Sequence, residues 1–321
     1  MSEVGADPER AAVPGDMDGM RADRVVAGVY GISRAAARNA VDSGKVTIDG
    51  EPVAAKDKLA AGTILAAVLP EAEGPLQPLD ARLEIRYESA DVLVVDKPAG
   101  LVVHPGAGHR NDTLASILIH HYPALAALGE SHRWGLVHRL DRDTSGLLLV
   151  ARSPEAHADL QQQLKERSIQ RTYVALVGAR VEPATGTVEA PIGRDPEQPT
   201  RMALRQNGRF ARTHYRRLAA WGDISLMEVK LDTGRTHQIR VHLSSIGAPL
   251  VGDKTYGAKR AGRVTIDRVW LHAARLTFQD PSLTETTTVV APLPAELVNT
   301  LDDLGEPDDG AVSDAGLVSD L

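Results

Sequence analysis

Residues 135–152 read GLVHRLDRDTSGLLLVAR. The run Leu147–Val150 is short and wholly apolar, as a buried strand requires. Before it, Asp141, Arg142, Asp143, Thr144, Ser145 and Gly146 form a polar turn rich in good turn formers. His138, Arg139, Asp141, Arg142 and Asp143 thus set ionisable groups beside a buried strand. Such a stretch can be an ordinary loop. A loop on a rigid strand is also a usual place for catalytic groups. Composition alone leaves both readings open.

Working outward, LEIRYES and DVLVVDKP read as strands upstream, the second ending at Pro98. TLASILIHHY reads as a helix. Downstream, Ser153 caps and Pro154 starts the helix PEAHADLQQQLKER. RTYVALVG, THYRRLAAW, ISLMEVKLD and VWLHAARLTFQ read as strands, and THQIRVHLSSIG as a helix stopped by Gly247. Strands follow one another without regular βαβ alternation, so the fold class is α+β.

Two further segments hold candidate chemistry. In LDTGRTHQIRVH, residues 231–242, a helix is expected from near Arg235. Ile239, Val241 and Leu243 flank Arg240, so a half-buried cation in need of a carboxylate is one reading, and a solvated arginine the other. VVDKPAGLVVHPGAG, residues 94–108, reads as a structural turn whose Lys97 and His104 are weak candidates for a phosphate contact.

Residues 21–70 form a separate small module. Ser33 suits an N-cap, a helix runs Arg34 to Ser43, and Gly44 suits the left-handed position after it. VTIDGEPV is a hairpin around Asp49-Gly50. Arg34 and Arg38 share a helical face, which by itself favours a plain solvated surface. Prolines and a glycine mark a linker over residues 71–80, followed by a larger domain over 81–300. Residues 1–20 and 301–321 lack apolar periodicity and read as disordered.

The charge distribution follows this division. Residues 1–20 hold five acids against one base, and residues 301–321 seven acids and no base. The total of −7 therefore leaves +4 on residues 21–300. A mildly basic body permits RNA binding without arguing for it. There is no cysteine, which excludes disulfides, thiolate metal sites and cysteine nucleophiles. No HExxH pattern and no dinucleotide or GxSxG fingerprint occurs, so neither a metal nor a cofactor is expected. No apolar run approaches the roughly 20 residues of a membrane span. The first residues also lack the pattern of a signal peptide, so a cytoplasmic protein with no membrane partner is expected.

Taken together, the motifs resemble those of the RluA/RluD-type pseudouridine synthases. HRLDRDTSG resembles the family's active-site motif, and DKPAGLVVHPG the strand-turn motif before it. RTYVALV resembles the tyrosine motif, LDTGRTHQIRVHL the basic motif, and GAPLVGDKTYG and LHAARL the C-terminal motifs. All stand in family order over roughly residues 82–296. Ala248 stands where the family usually has His. Residues 21–70 resemble the S4-like RNA-binding domain that precedes the catalytic domain in the RluD-like branch.

The resemblance implies a central, mostly antiparallel sheet and cofactor-free isomerisation of uridines in RNA. It favours large-subunit ribosomal RNA, with transfer RNA the alternative, and a monomer. It assigns the acting carboxylate to Asp141, the arginine that orients it to Arg240 with Arg235 as rival, and the base-stacking tyrosine to Tyr173. Arg139 would fill the space of the flipped base, and Arg142 and Arg235 would contact RNA. His138 would be structural or touch a phosphate. Under this resemblance Arg34 and Arg38 become RNA contacts. A non-catalytic RNA-binding or ribosome-maturation factor is the rival class, and a His138/Asp141 hydrolase ranks last.

Overall fold

The apolar run after the polar turn becomes a strand buried at every position, Ser145–Ala151, because it lies inside a sheet covered on both faces. The computed structural model describes residues 8–32, 34–68, 75–106, 109–129, 133–198, 200–257, 264–283 and 285–312. The chain divides into two units, Met1–Pro75 and Leu76–Leu321.

The first unit contains β1 (Glu9–Ala12), β2 (Met20–Arg21), α1 (Ala22–Val29), α2 (Arg34–Asp42), β3 (Val46–Ile48), β4 (Glu51–Pro52), β5 (Lys58–Leu59) and β6 (Ile64–Ala67). Its main sheet has the order β1-β6-β3-β4. Val25, Val26, Ala37, Val41, Val46 and Leu65 form its core. Asp49 and Gly50 both take positive φ, 51° and 87°, as a two-residue hairpin turn between β3 and β4 demands. The cap expected at Ser33 lies outside the described residues.

The second unit contains β7 (Glu84–Glu88), β8 (Val92–Lys97), α3 (Leu114–His121), β9 (Ser145–Ala151), α4 (Pro154–Glu166), β10 (Gln170–Val177), β11 (Thr185–Glu189), β12 (Ile192–Arg194), β13 (Met202–Leu204), β14 (Arg212–Trp221), β15 (Ile224–Leu231), α5 (Gln238–Ser245), β16 (Leu271–Gln279), β17 (Thr286–Val290), α6 (Ala295–Leu304) and β18 (Asp309–Gly310). The large sheet runs β11-β14-β15-β10-β16-β9-β8-β7, with β17 beside β16 and β18 beside β14. Its pairings are antiparallel except for β9 with β16. On one face α3 and α5 pack Leu114, Leu118, Ile239 and Leu243 against Val95, Leu148, Val229 and Leu271. On the other, α4 buries Ala156 and Leu160 against Val94, Leu147 and Phe278. A buried leucine such as Leu160 contributes about 1.5–3 kcal/mol. Ser153 caps α4, its hydroxyl accepting from the Ala156 amide. No described helix is long and apolar enough to cross a membrane.

The described parts of the two acidic ends, residues 8–20 and 301–312, take regular structure where disorder was expected. From residue 8 the N-terminal segment is ordered, because β1 finds backbone partners along β6. At the other end α6 buries Leu297 and Leu301 beside Trp270, and β18 pairs with Ala219 and Ala220 of β14. Asp308 meets Arg180 at 2.6 Å, and Asp309 pairs with Arg217. The acids are neutralised by arginines more than ninety residues earlier, a match that composition conceals. Residues 313–321 lie outside the described residues.

Candidate active site

The parallel pair β9–β16 places the polar turn. Ser145 and Gly146 sit opposite His272 and Ala273. Gly146 has φ 112°, and a Cβ there would meet the Ala273 carbonyl oxygen at 2.3 Å, so only glycine permits this approach. The turn ahead of it closes with the Thr144 amide donating to the Asp141 carbonyl at 3.1 Å.

Two cations, one buried and one half-buried, hold the same turn. Lys97 at the end of β8 is 0% exposed, and its Nζ donates to the carbonyls of Pro98, Leu101 and Arg142 at 2.8, 3.0 and 3.0 Å. Burial pushes its ammonium down to about 7, against the pull of Asp141. Arg268 donates from Nη1 to the Asp143 carbonyl at 3.2 Å and the Ser145 hydroxyl at 3.0 Å. Asp143 itself pairs with its neighbour Arg142 at 3.1 Å. Asp141 is the carboxylate of this turn left for another task.

The Asp141 side chain is 18% exposed, and its Oδ2 lies 3.5 Å from Nη1 of Arg240 on α5. Arg240 is anchored by Asp253: Nε donates to Oδ2 at 2.7 Å and Nη2 to Oδ1 at 2.9 Å. This bidentate fork fixes the guanidinium and leaves Nη1 for Asp141. Asp253 also accepts from the amides of Thr255 and Tyr256. Burial would raise its carboxyl, but Arg240 and these amides hold it below its usual value.

Tyr173 on β10 is 5% exposed. Burial, and then Asp141, raise its phenol above the ordinary value, opposed by Arg171. It is therefore neutral around pH 7. Its hydroxyl has no hydrogen-bond partner among the described residues. His237 also feels the charge of Asp141 and sits at φ 57°, just before α5. The Met202 amide donates to the Tyr256 hydroxyl at 2.7 Å, and that hydroxyl shares a hydrogen bond with His237 Nδ1 at 2.7 Å.

Asp141, Arg240 and Tyr173 are thus brought together, and Arg139 and Arg142 lie exposed on the same loop. Arg235 does not approach Asp141: its Nε donates to the Phe210 carbonyl at 3.0 Å. His138 is buried, and its Nε2 accepts from the Leu149 amide at 3.2 Å. Burial lowers it to about 3, so it is a neutral structural acceptor, not a phosphate contact. Lys97 is equally unavailable to a phosphate, being saturated by carbonyls. His104 is pushed down to about 4 by burial and by Arg133 and Arg139, which removes its charge too. In the first unit, Arg38 pairs with Asp42 at 3.1 Å on an exposed helix face. The Arg34 side chain lies outside the described residues.

Sequence reasoning missed Asp253, Arg268, His237 and Tyr256. The one available signal was Arg240 itself: a cation among apolar neighbours demands a carboxylate, and Asp253 follows thirteen residues later.

Residues 91–245 match the family model described as RNA pseudouridylate synthase. An uncharacterized RNA pseudouridine synthase of Mycobacterium tuberculosis is 40% identical over 90% of this chain and 96% of its own length. The chain belongs to the RNA pseudouridylate synthase family. A ribosomal large subunit pseudouridine synthase D of Pseudomonas aeruginosa is 44% identical over 78% of either chain. Among solved structures, human RNA pseudouridylate synthase domain containing 1 is 31% identical, with a TM-score of 0.56 over 72% of this chain and 91% of that one. The mostly antiparallel sheet is therefore that of an RNA pseudouridine synthase, an isomerase. The arginine fork and the buried tyrosine surround its motif aspartate.

Proposed function

We propose that this synthase isomerises uridines of large-subunit ribosomal RNA, with Asp141 as the group that acts at the ribose. The reaction breaks the bond from C1′ to N1, turns the uracil, and joins C1′ to C5. The C5 proton leaves and N1 takes one up, so nothing is added and no electrons are exchanged. A carboxylate serves either as nucleophile at C1′ or as base at C2′. The observation that carries the assignment is the charge arrangement: Asp141 is half-enclosed and faced by an arginine that Asp253 fixes. Such a carboxylate is held in one orientation by a fixed guanidinium.

Tyr173 would offer its ring face to the base and its neutral hydroxyl to the proton leaving C5. Arg139, exposed and next but one to Asp141 in sequence, would occupy the gap left when the target base is flipped out. The choice of ribosomal RNA rests on relatives. Besides the Pseudomonas protein, a ribosomal large subunit pseudouridine synthase D of Xanthomonas campestris is 40% identical over 95% of this chain and 97% of its own. The first unit would act as an S4-like module that holds RNA by its backbone. Arg38 would contribute, since an exposed pair such as Arg38–Asp42 is worth little and is readily exchanged for phosphate.

The test uses unmodified large-subunit RNA transcribed in vitro, with pseudouridines located by carbodiimide labelling and primer extension. The wild type should produce stops at a few uridines. Asp141→Asn should produce none while still binding RNA, and Asp143→Asn should retain activity. A dead Asp143→Asn beside an active Asp141→Asn would reverse the assignment. Modification of transfer RNA alone would move the substrate.

A further inference from the structure

Most well-formed arginines of the large sheet face carboxylates. Arg86 meets Asp96, Arg212 meets Glu189 and Asp232, and Arg216 meets Glu228. Arg167, Arg171, Arg209 and Arg235 do not: none has a carboxylate within ion-pair distance among the described residues. Yet they lie close together. Arg209, Arg167 and Arg171 each depress the Arg235 guanidinium by repulsion, after burial.

Phe210 is the hub of this group. Its carbonyl accepts from Arg235 Nε, and the Arg167 guanidinium lies 5.5 Å from its ring centre. Arg212 lies 5.4 Å from the same centre with its charge already committed. The ring is 39% exposed, so a face of it is open to a stacking partner.

Arg171 is the decisive member. It is 8% exposed, and its Nε is buried without an acceptor. Its Nη1 lies against Gly234, where a Cβ would come within 2.7 Å, so the glycine leaves room for the guanidinium. The nearest attractive groups are Tyr173, which is neutral, and Asp232, which is shared by Arg212 and His214 at 3.3 and 3.2 Å. A buried cation without a partner is costly, and the cost is recovered only when an anion arrives. Arg171 lies two residues before Tyr173 on β10, on the same strand face, so such an anion would sit beside the uridine site.

We propose that Arg167, Arg171, Arg209 and Arg235 form a pocket for a backbone phosphate next to the target uridine, and that Phe210 stacks a neighbouring base of the same RNA strand. The proposal rests on the RNA reading above and adds to it a binding subsite outside the residues that act on the ribose. Arginine planes and an aromatic ring side by side suit a single-stranded segment, because any base offers a face to stack. A buried guanidinium supplies a fixed phosphate contact that sets where the strand lies.

The test compares wild type, Arg171→Met and Phe210→Ser on the same unmodified large-subunit RNA, by filter binding across a salt series and by turnover. Arg171→Met should raise KM about ten-fold and make the plot of log affinity against log salt shallower by about 0.7–0.9, the signature of one lost phosphate contact. Its Tm should be unchanged or higher, because an unpaired buried charge is gone. Phe210→Ser, on the surface, should weaken binding by about five-fold or more, as loss of one stacked base does, with the salt slope unchanged. Wild-type slope and KM in Arg171→Met would overturn the pocket, as would a fall in its Tm with the slope retained. If Arg171→Met does not fold, Arg167→Gln combined with Arg209→Gln, both exposed, decides by the same slope. A wild type that makes no pseudouridine would sink the enzymatic reading, whereas an active wild type with indifferent variants would sink only the pocket.

Discussion

Asp253→Asn tests whether Arg240 is held for Asp141 or merely lies near it. Asn Oδ1 can still accept from Arg240 Nη2 and from the Thr255 and Tyr256 amides, so the local turn survives. At the other position the amide Nδ2 replaces Oδ2, which accepts from Arg240 Nε at 2.7 Å, and two donors then face each other. The guanidinium also loses its buried counter-charge, and among the described residues the partly exposed Asp141 remains at 3.5 Å. Breaking one side of a buried ion pair costs about 3–5 kcal/mol. Urea unfolding should show a loss in that range. Arg240, no longer clamped, should also orient Asp141 poorly, so single-turnover isomerisation should fall about ten-fold or more, which corresponds to about 1.4 kcal/mol of lost transition-state stabilisation. The double variant Arg240→Met/Asp253→Asn should be less unstable than the sum of the single variants, because no uncompensated charge remains. A loss below about 1 kcal/mol in Asp253→Asn, or strict additivity in the double variant, would refute this account.

Lys97→Met should destabilise the protein by about 3 kcal/mol, since three carbonyls lose their donor at about 1–3 kcal/mol each, offset by relief of the buried charge. Because the folded pKa of about 7 lies below the 10.5 of the free side chain, the unfolded state binds more protons between these values. Wild-type stability should therefore gain from Lys97 as pH rises from 7 toward 10, at up to about 1.4 kcal/mol per unit, and a variant sharing that slope would contradict the assignment. Gly146→Ala should cost more than the roughly 1–3 kcal/mol of a strained backbone alone and should lower turnover; a crystal structure with β9 and β16 undisturbed would count against it. Deleting residues 305–321 should lower Tm by several degrees. Arg180 and Arg217 lose their pairs with Asp308 and Asp309, worth about 0–1 kcal/mol each, and keep Glu182, while the Trp221 indole loses the Gly305 carbonyl that accepts from it at 2.8 Å. An unchanged Tm would make this segment the passive tail its composition suggests.

What the sequence revealed divides along the range of the interactions. The turn at Asp49-Gly50, the cap at Ser153 and the helix Gln238–Ser245 are set by neighbours within a few residues, and local chemistry is enough to read them. The clustered charges around Asp141 were equally visible. His138 stayed open between a structural role and a phosphate contact because its neutrality comes from burial, which only the folded chain supplies. The acidic ends were misread because β1 and β18 gain their order from distant backbone edges and arginines. Asp253 escaped notice because nothing nearby in the chain announces that it faces Arg240. The arginines around Phe210 are scattered over α4, β10 and two loops, so no stretch of sequence shows them as one patch.

The pairing of Ser145 with His272 spans 127 residues, and Arg268 reaches the Asp143 carbonyl across 125. A nascent chain emerges from its N-terminus, at about 5–20 residues per second. The motif aspartate is therefore in the open on the order of ten seconds before the strand and arginine that shape its turn. During that interval the growing polypeptide carries Asp141 without the contacts that fix its turn. The turn can take its folded form only once residue 272 has emerged, so a message broken before that point yields a chain whose Asp141 turn lacks β16 and Arg268 to hold it.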